Sequence, residues 1–396
     1  MHVPCFDLTR QIAAIGDELK HAAGRVIDRA AFASGPFVSR FEDEFAQAMG
    51  GRHCVAVNSG TSALHCALLA CGIGAGDEVL TVSFSFIATA EAISYTQAQP
   101  AFIDIEEPYY TMSSERLHDF LQRKTFFDRV GKILVDRETR RPVKAIVLVH
   151  LFGQPAAADQ ICSLAGEYGL AVIEDCAQSH LARYEGKPVG TLGDVGCFSF
   201  YPSKNLGACG EAGAIVTDNA ELALKIRMLR DHGQKHRDHH EVIGYNYRMD
   251  GLQGAMLSVK LKHLKAWTEQ RRRHALVYRR LLDGLPGITL PAEREGSVHV
   301  YNRFVIRVPN RDEFISYLKR RGIGTAVYYP RPIHLTPAYC GLGYKAGDLP
   351  ASEQSAREAV ALPMFPELRK EEVEFVAKVV QNWCDAQKCI GQRRES

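Results

Sequence analysis

The 396-residue sequence has almost no excess of either charge, with 48 lysines and arginines against 46 acidic residues. That balance leaves no electrostatic footprint for nucleic acid or for an anionic membrane surface. Long hydrophobic runs are also missing, and no stretch approaches the roughly eighteen apolar residues of a membrane-spanning helix. The opening MHVPCFDLTRQIAAIGDELK has no apolar core of the secretory kind. Eleven cysteines are present, but no two stand as C-x-x-C, which excludes a zinc ribbon and a thioredoxin-like pair. Cys66 in ALHCALL and Cys197 in GCFSF sit in apolar company, where a free thiol behaves as a small hydrophobe. We therefore expect a soluble cytoplasmic protein with reduced thiols and with neither nucleic acid nor membrane as partner.

What is present is an alternation of strand-like and helix-like segments. At roughly 100–200 residues per domain, the length suits two or three domains. HCVAV (53–57), EVLTVSFSF (78–86), PAFIDI (100–105), KAIVLVH (144–150), LAVIEDC (170–176), VGCFSFY (195–201) and GAIVTD (213–218) are apolar and β-branched. Continuous apolar strands between helices predict a mixed, mostly parallel sheet covered on both faces. The pattern changes near residue 250. A long helix is expected over Leu252–Leu282, then a strand at 301–308, a helix at 311–322, a strand TAVYYP at 325–330 and a last helix over Lys370–Ala386. The expected organisation is a large α/β domain over 1–250, with an N-terminal helical segment, and a smaller C-terminal α+β domain over 251–396. The charged segment RKTFFDRVGKILVDRETRRPVK (123–144) reads as a surface hairpin beside the sheet.

Three places could carry chemistry. FSFYPSKNLGACGEAGAI (198–215) puts Lys204 in a glycine-rich loop leaving a buried strand. Desolvation there lowers an amine pKa, and the neutral amine is a nucleophile that forms a Schiff base with an aldehyde. Taken alone, a snorkelling surface lysine is the commoner outcome. LAVIEDCAQ brings Asp175 to the carboxyl end of a strand, where open α/β sheets bind ligands. An aspartate there could partner a pyridinium nitrogen, and it would equally suit a helix N-cap. NSGTSAL (58–64) places Gly60, Thr61 and Ser62 at a strand-to-helix turn, which is a phosphate cradle or an ordinary capped helix. Together the three supply an anchor, a proton-holding carboxylate and an imine-forming lysine, the needs of pyridoxal 5′-phosphate. His232, His236, His239 and His240 follow no ligand spacing, GIGAGDE (72–78) follows a helix rather than a strand, and neither a metal nor a dinucleotide site is expected.

The sequence resembles the DegT/DnrJ/StrS family of PLP-dependent sugar aminotransferases. The resemblance runs from SGPFVSRFEDEFA (34–46) to ALPMFPELRKEEVEFV (361–376) and is carried by NSGTSAL, IEDCAQSH, FSFYPSKNLGACGEAGAI and GYNYRMDGLQGA (244–255). It implies the type I aminotransferase fold. By position, Lys204 would carry the cofactor and move protons, Asp175 would pair with the pyridine nitrogen, and Gln178 would lie near the phenolic oxygen. Phe86 would stack on the ring, and Gly60, Thr61, Ser62 and Ser199 would hold the phosphate. Asn246 would reach the phosphate of a neighbouring subunit, which implies a homodimer with shared sites. Arg248, Tyr328, Tyr329 and His334 would face the substrate. Lysine at 204 disfavours the dehydratase branch, which carries histidine there. Glu211–Ala212, Asp238 and Thr336 depart from the family pattern.

The implied reaction moves an amino group from L-glutamate or glutamine to a keto sugar carried on a nucleotide. Carbon 3 is favoured by YYPRPIHLTPAY and GYNYRMDGLQGAMLSVKLKHL. Alternatives are 4-keto sugar nucleotides, keto-inositols, aminohydroxybenzoate synthesis, and a PLP-binding regulator without turnover.

Overall fold

The computed structural model describes the backbone of residues 1–395 and the side chains of residues 1–388. The apolar runs become nine strands of one sheet. They are β1 (His53–Val57), β2 (Glu78–Val82), β3 (Gln99–Ile103), β4 (Thr125–Asp128), β5 (Ile133–Asp136), β6 (Pro142–Val149), β7 (Ala171–Asp175), β8 (Val195–Ser199) and β9 (Gly213–Thr217). Their spatial order is β1-β9-β8-β7-β6-β2-β3, with the β4–β5 hairpin joined to β6 through β5. Neighbours from β8 to β3 run parallel, while β9 opposes both β1 and β8. The expected mixed, mostly parallel sheet is therefore present, and the 123–144 segment is the expected hairpin.

Helices cover both faces because strand side chains alternate. The first eight are α1 (Thr9–Asp28), α2 (Pro36–Met49), α3 (Gly60–Ala70), α4 (Ala88–Tyr95), α5 (Ser114–Lys124), α6 (Ala158–Tyr168), α7 (Ala220–Arg230) and α8 (Gly251–Leu282). Val55, Val79, Val147, Cys197 and Ile215 point to one face and pack with α3, α4 and α7. Their neighbours point the other way. Leu80, Ile146 and Leu148 meet α5 and α6, and Ala56, Phe198 and Val216 meet α2 and α8. Among the described residues no helix is long and apolar enough to cross a membrane. Ten of the eleven cysteines are free thiols, and Cys389 lies outside the described side chains.

A second core joins the end of α8 to β10 (Phe304–Arg307), α9 (Arg311–Arg320), β11 (Ala359–Leu362) and α11 (Lys370–Glu395), whereas α10 (Pro350–Glu358) packs Ala356 against the sheet core. Tyr278, Phe304, Phe314, Leu362, Val376 and Trp383 are among the members of the second core. The N-terminus belongs to this core too: Val3 bridges Ile323, and Arg10 pairs with the fully buried Glu372 at 2.7 Å. The expected strand 325–330 does not form. Only Ala326 bridges, to Ala361, after which Pro330 and Pro332 withhold amide donors and Tyr328 and Tyr329 turn toward the sheet. The expected strand 301–308 shortens to β10, which leaves Asn302 and Arg303 as loop residues.

Candidate active site

The carboxyl ends of β1, β6, β7 and β8 lie at one edge of the sheet, the edge where open α/β sheets bind ligands. There the chain encloses a cavity of about 560 Å³ lined by Gly60, Thr61, Phe86, Asp175, Gln178, Ser199, Lys204, Glu211, Arg303, Tyr328 and Tyr329, among others.

Lys204 follows β8 in a pinned turn. Its own backbone amide donates to Tyr201 O, the Asn205 side-chain Nδ2 donates to Val300 O, and the buried Lys260 ammonium donates to Gly207 O at 2.8 Å. A side chain at Gly207 would put its Cβ 2.3 Å from Pro202 O, so only glycine closes this turn. The Lys204 amine opens to the cavity yet is otherwise walled by protein. Burial first, then the nearby Arg303 charge, lower its pKa to about 8, against a smaller upward pull from Asp175. At neutral pH that gives about a tenth of the amines in neutral form, against well under a hundredth for a free lysine.

Asp175 ends β7, and its two oxygens are already oriented. Thr89 Oγ1 donates to Oδ2 at 2.8 Å, and the Ala177 amide donates to Oδ1 at 3.1 Å. Thr89 spends its only hydrogen on the aspartate, so in its 2.9 Å contact with Ser85 the Ser85 hydroxyl is the donor. No helix follows, so Asp175 caps a turn with one oxygen and keeps acceptor capacity toward the cavity. Gln178 is held at both ends: its Oε1 accepts from the Phe152 amide at 2.7 Å and its Nε2 donates to the Tyr329 hydroxyl at 3.1 Å. Tyr329 in turn lies 5.9 Å from the half-exposed Phe86 ring.

Ser59 is the N-cap of α3, accepting from the Ser62 amide at 3.0 Å. This leaves the Gly60 and Thr61 amides without intrahelical partners, at the positive end of a helix beside Ser199. Gly60 is required by that approach, since a Cβ there would lie 2.6 Å from Ser199 Cβ. Ser62 is buried against Ser59 and does not line the cavity.

The remaining predicted residues lie elsewhere. Asn246 is exposed and Arg248 pairs with Asp231 at 2.6 Å, both outside this chain's own cavity. His334 is buried, with Nδ1 2.6 Å from Ser83 Oγ and Nε2 3.4 Å from Glu353. It ties the loop bearing Phe86 to the loop bearing Tyr329 without lining the cavity.

Sequence reasoning missed Thr89, Arg303 and the pair beneath the site, His150 and Glu174. Strand alternation turns Glu174 away from Asp175, into the interior. There its carboxylate accepts from the amides of Gly190, Leu192 and Gly193 and sits 3.0 Å from His150 Nε2. His150 Nδ1 accepts from the Ala156 amide, so Nε2 carries the hydrogen and donates to Glu174. Cys176 lies close enough to complete a three-ligand cluster, but these hydrogen bonds already occupy the histidine and the carboxylate. Glu174→Ala should cost about 3–5 kcal/mol by stranding buried donors. Denaturant midpoints check this, and a loss under about 1 kcal/mol, the scale of a surface pair, would contradict it.

Comparison with known proteins agrees with this geometry. The profile of the DegT/DnrJ/EryC1/StrS aminotransferase family matches residues 13–381. The chain belongs to that family. It is similar to a pleiotropic regulatory protein of Geobacillus stearothermophilus, 42% identical over 96% of this chain and 98% of the relative. It is also similar to a UDP-N-acetyl-3-dehydro-alpha-D-glucosamine 3-aminotransferase of Acidithiobacillus ferrooxidans, 40% identical over 96% and 97%. The solved structure of S. venezuelae DesV in complex with a ketimine intermediate superposes with a TM-score of 0.91, at 38% identity over 97% of this chain and 98% of that one. This aminotransferase uses pyridoxal phosphate, and its cavity fits that group. The helix amides beside Ser199 suit a phosphate, Asp175 suits a ring nitrogen, and Lys204 suits an aldehyde.

Proposed function

We propose that this family member transfers an amino group from L-glutamate or glutamine to carbon 3 of a keto sugar carried on a nucleotide. It acts in the cytoplasm as a homodimer whose subunits share active sites. The observation that carries the reading is Lys204, a cavity-facing amine of lowered pKa opposite an oriented aspartate. The carbon-3 assignment draws support from the Acidithiobacillus relative, whose name specifies a 3-dehydro sugar and a 3-aminotransferase. A regulator without turnover is the weaker reading, because a protein that only binds cofactor needs no proton-moving lysine in the same cavity as a carboxylate oriented by hydrogen bonds.

Pyridoxal phosphate, when bound, supplies the electron sink that makes the carbon-bound proton of an amino acid acidic. This chain supplies the rest. The Gly60 and Thr61 amides and the Ser199 hydroxyl would hold the phosphate, with Ser62 fixing the cap. Asp175 would keep a proton on the ring nitrogen, and Gln178, itself tied to the Tyr329 hydroxyl, would lie near the phenolic oxygen. Phe86 would stack on the ring, and Tyr328, on the cavity wall, would help exclude water. Lys204, in its neutral form, takes the proton from the donor carbon and returns it on the far side of the transfer. Exposed Asn246 and the partly buried Arg248, both outside this chain's own cavity, would serve the site of the second subunit, and His334 positions the Phe86 and Tyr329 loops.

The test is spectroscopic. The visible band of the cofactor-loaded protein should bleach in L-glutamate or L-glutamine and return when a 3-keto sugar nucleotide is added. A band that neither amino acid moves would refute transamination from these donors. Recovery with a 4-keto but not a 3-keto sugar would move the reacting carbon.

A further inference from the structure

Arg303 precedes β10, lines the cavity, and is only 8% exposed. Its Nη1 donates to Asn302 O at 2.9 Å and to Ser203 O at 3.3 Å, and its Nη2 donates to Ser203 Oγ at 2.9 Å. The guanidinium also lies 5.0 Å from the Tyr328 ring centroid and 5.8 Å from that of Phe6. All of these partners are neutral. Arg307 and Arg294 instead pair with Glu107 and Glu106, and the fully buried Arg271, which also donates only to backbone carbonyls, does not line the cavity.

A buried cation with only neutral partners is costly, and the cost is relieved when an anion arrives. Arg303 has the donors for one. Of its five N–H groups three are engaged, which leaves two. It is anchored to Ser203, the residue preceding Lys204, and lines the same cavity, so the anion's place is beside the reacting amine.

Connectivity selects among the anions of the reaction. The cofactor phosphate has its own cradle at α3 and Ser199. The diphosphate of a nucleotide sugar is separated from a carbon-3 ketone by carbon 2, carbon 1 and the glycosidic oxygen, which places it further out. In an α-amino acid the carboxylate shares a carbon with the reacting nitrogen, so it must land next to Lys204. We propose that Arg303 is the clamp for the α-carboxylate of the amino donor. This inference rests on the reading that an α-amino acid is the donor.

The two half-reactions can be followed separately, and so can binding without chemistry. The donor used is whichever of L-glutamate and L-glutamine bleaches the unaltered, cofactor-loaded protein. With Arg303→Met, the donor concentration that half-bleaches the visible band should rise roughly 10²-fold, the scale of a lost hydrogen-bonded charge. Arg303→Lys should recover part of it, keeping the charge but losing the planar fork. Calorimetric titration of glutarate, which cannot react, should weaken by a similar factor. Discrimination between L-glutamate and 4-aminobutyrate, which lacks the α-carboxylate, should collapse in Arg303→Met. The concentration of keto sugar nucleotide that restores the band should stay within about threefold, since nothing in the second half-reaction uses the clamp. An unchanged donor requirement, or a loss confined to the sugar half-reaction, would overturn the clamp while leaving the amino-acid donor in place. If neither amino acid bleached the unaltered protein, the donor reading itself would fall.

Discussion

Lys204→Ala should leave a protein that folds and still binds pyridoxal phosphate but turns over at least about 10⁴-fold more slowly, the upper range of a lost general acid–base group. The visible band of the covalently held cofactor should be absent, and added methylamine should not restore the native rate, because the Lys204 loop orients its amine through Asn205, Gly207 and Lys260. A variant retaining a tenth of the activity would remove Lys204 from the reaction. The same residue makes a second, independent prediction through stability. Its pKa is lowered to about 8, so between about pH 8 and the free-lysine value the unfolded chain binds the proton and the folded chain does not. Stability of the cofactor-free protein therefore rises with pH across that window, and below it the folded state carries the full cost of a buried charge. Lys204→Met removes the cost. The cofactor-free variant should melt higher than the parent at pH 7, and the gap should narrow by pH 10. A gap that is constant with pH would mean the gain comes from packing alone.

Much of this site could be read from the sequence because its parts are local. NSGTSAL, IEDCAQ and the Lys204 loop each follow a strand directly, and a parallel sheet brings the carboxyl ends of such strands to one edge whatever their separation along the chain. The missed residues depend on geometry that sequence order does not encode. Thr89 reaches Asp175 across 86 positions, and Lys260 reaches Gly207 across 53. Glu174 and Asp175 are adjacent and look equivalent until strand alternation sends one inward and the other to the cavity. Arg303 stands in the same run, YNRFVIRV, as Arg307. Only the structure distinguishes the arginine paired with Glu107 from the one without a counter-charge. The failed strand at 325–330 has the same origin, since alternating apolar residues fit a strand, but Tyr328 and Tyr329 are drawn into the site instead. The family resemblance implies site roles for Asn246 and Arg248, yet the chain places both away from its own cavity, a location that the proposed shared-site homodimer would account for.

Replacing Asp175 tests whether the electron sink depends on a single carboxylate. Asp175→Asn keeps the size and can still accept from Thr89, but it cannot carry the negative charge that holds a proton on the pyridine nitrogen. Turnover should fall on the order of 10²–10⁴-fold, the range spanned by lost electrostatic and acid–base groups, while Lys204 still holds the cofactor. Because the loss acts on proton removal from the donor carbon, it should appear in kcat, with a larger kinetic isotope effect on an α-deuterated donor, and little in donor binding. Thr89→Val supplies the graded comparison. It removes one hydrogen bond to the carboxylate, worth about 1.5–3 kcal/mol, and should cost roughly 10–10²-fold in the same step. In the double variant the Thr89 contribution should largely vanish, since Thr89 acts on the reaction only by orienting Asp175. Full additivity would mean that Thr89 contributes by another route, and near-native turnover in Asp175→Asn would mean that the ring nitrogen is protonated by some other group.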